Sequence, residues 1–130
     1  MKPSIKSFDL VVVGGGHAGI EAAHIAATLG LRVGLVTLNA SSLGRMSCNP
    51  AVGGLAKGQM VREIDVLGGI MGSAADKSGL QFKLLNKSKG KSVWSPRAQV
   101  DKRQYEKTVS VAVSSHKNIT IVEDEVILSL

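Results

Sequence analysis

The chain has 130 residues, of which 44% are hydrophobic, 20% are charged and 3% are aromatic. A domain of this length can bury a core without disulfides or metal ions, and the single cysteine excludes an internal disulfide. The net charge of +6 favours anionic partners such as nucleotides or nucleic acid. The composition therefore excludes a disulfide-stabilised scaffold and indicates one soluble domain in a reducing compartment.

Neither an export signal nor a membrane span is evident in the sequence. The amino-terminal segment has no apolar run of signal-peptide length. The apolar region at residues 10–36 contains Glu21, His24 and Arg32 and is interrupted by glycines, so it lacks the roughly 20 apolar residues of a transmembrane helix. We expect a cytoplasmic protein without a membrane partner, and no residue pattern typical of metal ligands is visible.

The first predicted elements form a strand, a helix and a second strand. Leu10–Val13 is a continuous apolar run, as expected of a parallel strand that is covered on both faces. Residues 20–29 are rich in alanine with apolar residues at helical spacing, so we predict a helix that ends at Gly30. Residues 31–36 return to β character. This βαβ unit predicts an α/β fold of the Rossmann type with a parallel sheet.

The rest of the sequence is less regular. Residues 38–58 show no sustained periodicity and predict a long ordered loop with functional potential. The chain ends within an apolar β run, so we expect the fold to be truncated here and to continue in a longer protein. Of the remaining segments, 59–67 predicts a helix, 80–85 a short strand or helix, and 86–96 a lysine-rich loop. Residues 101–113 predict a helix, and 118–122 and 126–130 predict strands.

Three glycines follow the first predicted strand at the spacing G-x-G-x-x-G. Gly14 permits the tight turn, Gly16 lets the backbone approach a pyrophosphate, and Gly19 lets the helix pack closely on the strand. The phosphates then meet free amides and the positive end of the helix dipole, so no lysine is needed. A flexible glycine turn is the alternative, but the flanking strand and helix favour a dinucleotide site.

The end of the second predicted strand departs from the usual dinucleotide site. NAD and FAD sites usually have an acid there that binds the ribose hydroxyls, whereas this chain has Thr37. Its hydroxyl, or the nearby Asn39, offers a weaker ribose contact, which argues against an ordinary dehydrogenase. His17 lies inside the glycine turn, where an imidazole reaches phosphate or flavin, although simple tolerance of histidine explains it equally well.

Five segments together resemble one known family. The most specific is the run GRMSCNPAVGGLAKG, and the similarity extends from about Asp9 to Val126. On these motifs the chain is identified as a member of the glucose-inhibited division protein A family, whose members are several times longer. The five segments are 14–19, 44–58, 65–69, 81–82 and 97–101.

The resemblance implies a fold and an activity. Family members are FAD-dependent tRNA uridine 5-carboxymethylaminomethyl modification enzymes that act on the wobble uridine. Residues 1–130 are then the amino-terminal part of a glutathione-reductase-like FAD-binding domain, and the remaining domains are absent from the chain. The resemblance further implies NADH as reductant, methylene-tetrahydrofolate as carbon donor, tRNA as substrate, a homodimer, and a GTPase partner in a heterotetramer.

The resemblance also assigns site residues. The FAD pyrophosphate would lie against the glycine turn, and the backbone of Val126 would meet the adenine. Cys48 would be catalytic, as a nucleophile or proton carrier in a loop near the flavin, and nearby Arg45 or Lys57 would favour its thiolate. A small buried hydrophobe that shapes the loop is an equally weighted interpretation of this cysteine. The cofactor-binding residues implied in the turn are Gly14, Gly15, Gly16, His17, Ala18 and Gly19.

A basic segment and two other functions remain open. Trp94 lies among five cations, a mixture that suits RNA, although a solvated charged loop is the commoner explanation and a flavin or NADH contact is a third. A folate-dependent tRNA uridine methyltransferase shares the glycine turn, but the segment 47–50 argues against it. A non-catalytic nucleotide-binding fragment is the other alternative. The five cations are Lys83, Lys87, Lys89, Lys91 and Arg97.

Overall fold

Two small sheets and the helices that cover them make up the fold. A computed structural model describes residues 7–46 and 49–127. No helix in these ranges is both long and apolar enough to cross a membrane. The elements in chain order are β1 (Leu10–Val13), α1 (His17–Thr28), β2 (Val33–Thr37), β3 (Ala51–Gly53), α2 (Lys57–Val66), α3 (Met71–Ser78), β4 (Gly79–Leu85), β5 (Ser95–Val100), α4 (Lys102–Ser114) and β6 (Ile119–Glu123).

The first sheet is parallel, with the strand order β1-β2-β6. Leu10 pairs with Val33, and Val33 pairs in turn with Ile119. Helix α1 connects β1 to β2 and buries Ile20 and Ala23 against the sheet. The predicted βαβ unit and parallel sheet are therefore confirmed. The expectation that β1 is covered on both faces is wrong for the described residues, because β1 is an edge strand and Leu10, Val11 and Val13 are exposed. Because all three strands run in one direction, their carboxyl ends meet at a single edge of the sheet.

The second sheet is antiparallel, with β5 between β3 and β4. Pro96, Ala98 and Val100 alternate with exposed residues along β5, and Val100 and Ala98 pack into the hydrophobic core. Helix α2 approaches so closely that a side chain at Gly58 would collide with the carbonyl oxygen of Pro96. The face of the sheet that carries Ala98 and Val100 is thus covered by helices.

Several predicted boundaries are wrong because distant pairing decides them. The predicted loop at 38–58 contains β3 and the start of α2, since β3 is formed only by pairing with β5. The predicted loop at 86–96 contains two 3₁₀ turns and ends in β5. Helix α3 was not predicted, and α1 begins three residues before Ile20. The strand predicted at 126–130 is absent at 126–127, and 128–130 lie outside the described residues.

Helix α4 joins the two sheets. Its N-cap Asp101 accepts a hydrogen bond from Gln104 N at 2.9 Å, and the Asp101 amide donates to Ser78 O at 2.8 Å. Tyr105, Val109 and Val113 form its buried face and lie in the common core with residues of both sheets. The apolar spacing along this helix is therefore what holds the parallel and antiparallel parts together.

Two valines of α4 allow a matched test of this packing. Val109→Ala removes two methyl groups from a site that is 1% exposed, and we expect the free energy of unfolding to fall by about 2 kcal/mol. Val111→Ala makes the same change on the same helix at a site that is 53% exposed, and should cost less than about 0.5 kcal/mol. Urea unfolding measures both, and equal losses would contradict the assigned buried face.

Candidate nucleotide-binding site

The glycine turn connects the end of β1 to the start of α1. Gly14 has φ +105°, in the left-handed region, and its amide donates to Val36 O at 2.7 Å. Gly16 is the N-cap of α1, and the first helical bond runs from Ile20 N to Gly16 O at 2.9 Å. No side chain caps the helix, and its first turn contains no acid. The amides of residues 17–19 therefore point outward, where the helix dipole favours an anion.

The glycines of the turn differ in what an added side chain would contact. A Cβ on Gly15 would lie 2.6 Å from Leu43 Cδ2 and 2.9 Å from Thr37 Oγ1, and one on Gly19 would collide with the carbonyl oxygen of Gly14. A Cβ on Gly16 would meet nothing within 4 Å. Gly19 is thus required by the backbone packing, and a side chain at Gly15 would displace those of Leu43 and Thr37, whereas Gly16 keeps open a space that the protein itself does not fill.

A cavity of about 620 Å³ lies over this space. Arg45, from the segment after β2, and Lys102, from the start of α4, contribute cationic side chains to its wall. None of the described residues that line it is a carboxylate. The cavity therefore suits a phosphorylated ligand. Its lining residues are Gly14, Gly15, Gly16, Thr37, Leu38, Asn39, Ser42, Arg45, Met46 and Lys102.

Sequence reasoning found the glycines of this cavity but missed its cations as ligands. Lys102 is 88 residues beyond Gly14 in the sequence, and only the packing of α4 brings it to the turn. Arg45 is the second residue of the most specific motif segment, and its position there is the one signal that could have indicated it. A basic residue near a glycine turn is too common a pattern to be selected without the fold.

The two residues considered for the ribose have different roles in the structure. Thr37 is buried, and its hydroxyl lies directly behind Gly15. Asn39 caps a 3₁₀ turn, because its Oδ1 accepts hydrogen bonds from Ser41 N at 2.8 Å and Ser41 Oγ at 2.6 Å. The amide nitrogen of Asn39 is then the group that a ligand in the cavity can reach. The structure thus favours Asn39 over Thr37 as the ribose contact.

The imidazole of His17 turns towards α4. Its ring centroid lies 5.7 Å from that of Tyr105, and both His17 Nε2 and the Tyr105 hydroxyl are buried without a hydrogen-bond partner among the described residues. Burial lowers the pKa of His17 despite the opposing charges of Glu21 and Glu106. Burial likewise raises the pKa of Tyr105. A neutral His17 offers a phosphate its backbone amide and no positive charge.

A second cavity, of about 530 Å³, adjoins the first along α1. Met46 lines both cavities, and His17 and Ala18 connect the glycine turn to the second one. Asn49 and Lys57 reach the same cavity from the specific motif segment. The structure therefore brings the two most informative motifs of the sequence to one continuous surface.

Glu21, which lines the second cavity, is engaged by the backbone of α3. The Glu21 carboxylate accepts hydrogen bonds from Ile70 N at 3.0 Å and Met71 N at 2.7 Å, so it holds the start of α3. Cys48, the predicted catalytic residue, lies outside the described residues. Its described neighbours in the sequence, Met46 and Asn49, both line the second cavity.

Val126 follows β6 at the carboxyl edge of the parallel sheet. It is 44% exposed and lies outside the lining of both cavities. The preceding segment is fixed to the site, because Asp124 N donates to Thr37 O at 3.0 Å. Val126 therefore lies at the same sheet edge as the glycine turn, and its predicted contact with adenine remains a prediction.

The parallel βαβ unit and the uncapped helix start define a dinucleotide-binding domain. The chain belongs to the glucose inhibited division protein A family, whose model matches residues 9–128. It is 54% identical over 123 residues to the tRNA uridine 5-carboxymethylaminomethyl modification enzyme of Aquifex aeolicus, and 52% identical over 120 residues to that of Sulfurihydrogenibium. These matches cover 95% and 92% of this chain but only 20% and 19% of the relatives.

Solved structures agree with this assignment. The Aquifex aeolicus GidA structure in its form II crystal matches with a TM-score of 0.89 and 53% identity, over 94% of this chain and 20% of that one. A probable FAD-dependent monooxygenase from Pseudomonas aeruginosa matches with a TM-score of 0.54 and 13% identity, over 88% of this chain and 32% of that one. The second likeness concerns the fold alone.

Two partly buried histidines make stability depend on pH. Burial lowers the pKa of His17 and of His24 below the imidazole value of 6.5 that the unfolded chain regains. Below about pH 6.5 the unfolded state binds more protons, so the free energy of unfolding should fall as the pH decreases towards about 5. His17→Gln and His24→Gln should each flatten this decrease, as measured by urea unfolding at a series of pH values.

Asp9 supplies the control for this experiment. Its hydrogen bonds with Arg32 lower the pKa of Asp9 from 3.8 to about 2, so its contribution is complete above pH 3.8 and is lost only as the pH falls through 2. Asp9→Asn should therefore leave the slope between about pH 7 and 5 unchanged. An unchanged slope in both histidine variants would refute the assigned burial.

Proposed function

We propose that this chain is the amino-terminal part of the FAD-binding domain of a tRNA uridine 5-carboxymethylaminomethyl modification enzyme, with residues 1–130 belonging to a glutathione-reductase-like domain. Membership of the family and the identity to the enzymes of that name support the proposal. The single observation on which it rests most is the open space at Gly16, above outward-pointing amides and beside two cations. That space fits a pyrophosphate.

FAD is the cofactor that the site would hold, and when bound it supplies the redox chemistry of the reaction. The backbone of residues 14–19 binds the pyrophosphate through amides, while Arg45 and Lys102 neutralise part of its charge. The amide of Asn39 contacts the ribose, and the backbone of Val126 contacts the adenine. The backbone amide of His17 is one of the donors to the pyrophosphate, and its neutral ring packs beside Tyr105 on the interior side of the turn.

Cys48 is the proposed catalytic residue of this segment, acting as a nucleophile or proton carrier. Support comes from its neighbours in the sequence, since Met46 and Asn49 line the cavity next to the glycine turn. Lys57 lines the same cavity, and a cation near a cysteine favours the thiolate. The cysteine is thus proposed to act on the substrate from the motif segment.

The other proposed components follow from the family activity. NADH reduces the flavin, methylene-tetrahydrofolate supplies the carbon, and tRNA is the substrate in the cytoplasm. The full-length protein is proposed to form a homodimer that joins a GTPase partner in a heterotetramer. The folate site and most of the tRNA site belong to the part of the protein outside this segment.

Gly16 allows the cofactor site to be tested without loss of the fold. In the full-length protein freed of FAD, Gly16→Asn should leave thermal stability unchanged or higher, because asparagine is a good N-cap and the site has room for a side chain. The same side chain occupies the amides and the space of the pyrophosphate, so FAD affinity should fall by about 1–3 kcal/mol. Flavin fluorescence titration measures the affinity.

Gly19→Ala is the contrasting variant. Its methyl group collides with the Gly14 carbonyl, so it should lower stability itself by about 1–3 kcal/mol. If Gly16→Asn bound FAD as tightly as the parent protein, the placement of the pyrophosphate would be wrong.

The activity is tested by mass spectrometry of nucleosides from total tRNA. Cells that lack the full-length gene should lose the carboxymethylaminomethyl-type wobble uridines selectively, and the parent gene should restore them. A Cys48→Ser gene should restore them poorly although the purified variant still contains FAD. An unchanged nucleoside profile in the deletion strain would refute the proposed function and leave a flavoprotein of another substrate.

A further inference from the structure

The positive charge of the chain is concentrated in one hairpin. We define the basic hairpin as residues 79–100, which comprise β4, β5 and the turns between them. It contains no acid, and the eleven cations outside it nearly balance the ten acids of the chain. Its exposed cations are Lys83, Lys87, Lys89, Lys91 and Arg97. The net charge of +6 therefore belongs almost entirely to this hairpin.

Two of these cations, Lys83 and Arg97, are exposed on neighbouring strands of the second sheet, at the wall of a cavity that α2 and α3 also line. Lys83 pairs with Arg97 across the strands, so their side chains share a face. Ala98 packs into the core on the other face, which places Arg97 outward by alternation. Gln81 pairs with Gln99 and lies on the same outward face. This face therefore presents two cations and two amides in a cross-strand array.

The strand beside this array is flat. Gly53 pairs with Arg97, and Ala51 pairs with Gln99, so the outward face of β3 has only small side chains. Among the described residues, the recorded ion pair joins Arg32 to Asp9, and none involves a cation of the hairpin. The charges are thus available to an external anion.

The tip of the hairpin is ordered, which fixes the three remaining lysines on one short segment. Trp94 Nε1 donates to Lys87 O at 3.3 Å, and Asn86 Nδ2 donates to Val93 O at 3.4 Å. Lys89 N donates to Asn86 O at 2.9 Å. The indole therefore closes the tip from within and is not free to stack on a base.

We infer that the basic hairpin binds the phosphate backbone of the tRNA substrate, an inference that rests on the proposed function. Lys83 and Arg97 share a cavity with Asp65 and Asp76, but no hairpin cation forms an ion pair with a described residue, and Lys87, Lys89 and Lys91 lie on a segment without acids. Ordered, unpaired cations suit phosphodiester groups, and amides suit phosphate and sugar oxygens. Because the aromatic side chain is engaged internally, the surface positions RNA without reading its bases. Binding through the hairpin is consequently independent of sequence and strongly dependent on salt.

The test measures tRNA affinity of the full-length FAD-containing protein across about 50 to 200 mM salt. Combined substitution of Lys87, Lys89 and Lys91 by Gln should raise the Kd at low salt by roughly tenfold or more. It should also reduce the slope of log Kd against log salt by about 2. The double variant Lys83→Gln with Arg97→Gln should also raise the Kd and reduce the salt slope, by smaller amounts that correspond to the loss of two cations instead of three. Unmodified and unrelated tRNAs should be affected equally, while FAD content and thermal stability stay at the parent values.

A matched control uses three exposed lysines away from the hairpin. Substitution of Lys77, Lys107 and Lys117 by Gln changes the net charge equally and should leave the salt slope unchanged. An equal effect in this control, or no effect in the hairpin variants, would overturn the inference. A rise in the KM for NADH with unaltered tRNA affinity would also overturn it and assign the surface to the nicotinamide.

The inference and the proposed function fail separately. If the parent protein restored no modified uridine but still bound tRNA through the hairpin, the proposed function would be wrong and the RNA surface would stand. Suppose instead that the parent protein modified tRNA and that the hairpin variants kept its KM and Kd for tRNA and its salt slope. The proposed function would then stand, and the inference about the hairpin would be wrong.

Discussion

The close contact between Gly19 and the Gly14 carbonyl is the constraint on which the site depends. A side chain at Gly19 would force α1 away from the end of β1. Without one, the helix starts directly over the strand end, and the amides of its first turn point into open space. The pairing of β1 with β2 then brings the residues after β2 beside those amides. One missing methyl group therefore determines where an anion can bind.

The local part of this arrangement was predictable, and the distant part was not. The glycine spacing and the flanking apolar runs predicted β1, α1, β2 and the parallel sheet because each depends on neighbours in the sequence. Strand β5 was missed since Ser95–Val100 lacks the composition of a strand and is stabilised by pairing on both sides. Helix α3 is short, and its start is held by the distant carboxylate of Glu21. Such contacts leave no local pattern.

The packing of helix α4 explains why some residues of the candidate site were not predicted from the sequence. Its composition predicted a helix at 101–113, but neither its buried face nor the neighbours of that face. Packing places Lys102 at the cavity over the glycine turn and Tyr105 behind His17. Helix α4 thus contributes the cation Lys102 to the cavity and packs the ring of Tyr105 against His17, on the side away from the cavity. The neutral state of His17 follows from that packing, since burial disfavours the imidazolium.

The two proposed anion sites of the chain differ physically. At the glycine turn, fixed amide dipoles act over a few ångströms within a shaped cavity, so geometry decides which anion fits. On the basic hairpin, exposed lysines act at longer range and are screened by salt, so charge density decides the strength of binding. A small cofactor needs the first property because it must be held in one orientation. The proposed tRNA ligand, a large polyanion, would need the second because charge attracts it before any single group on it is positioned.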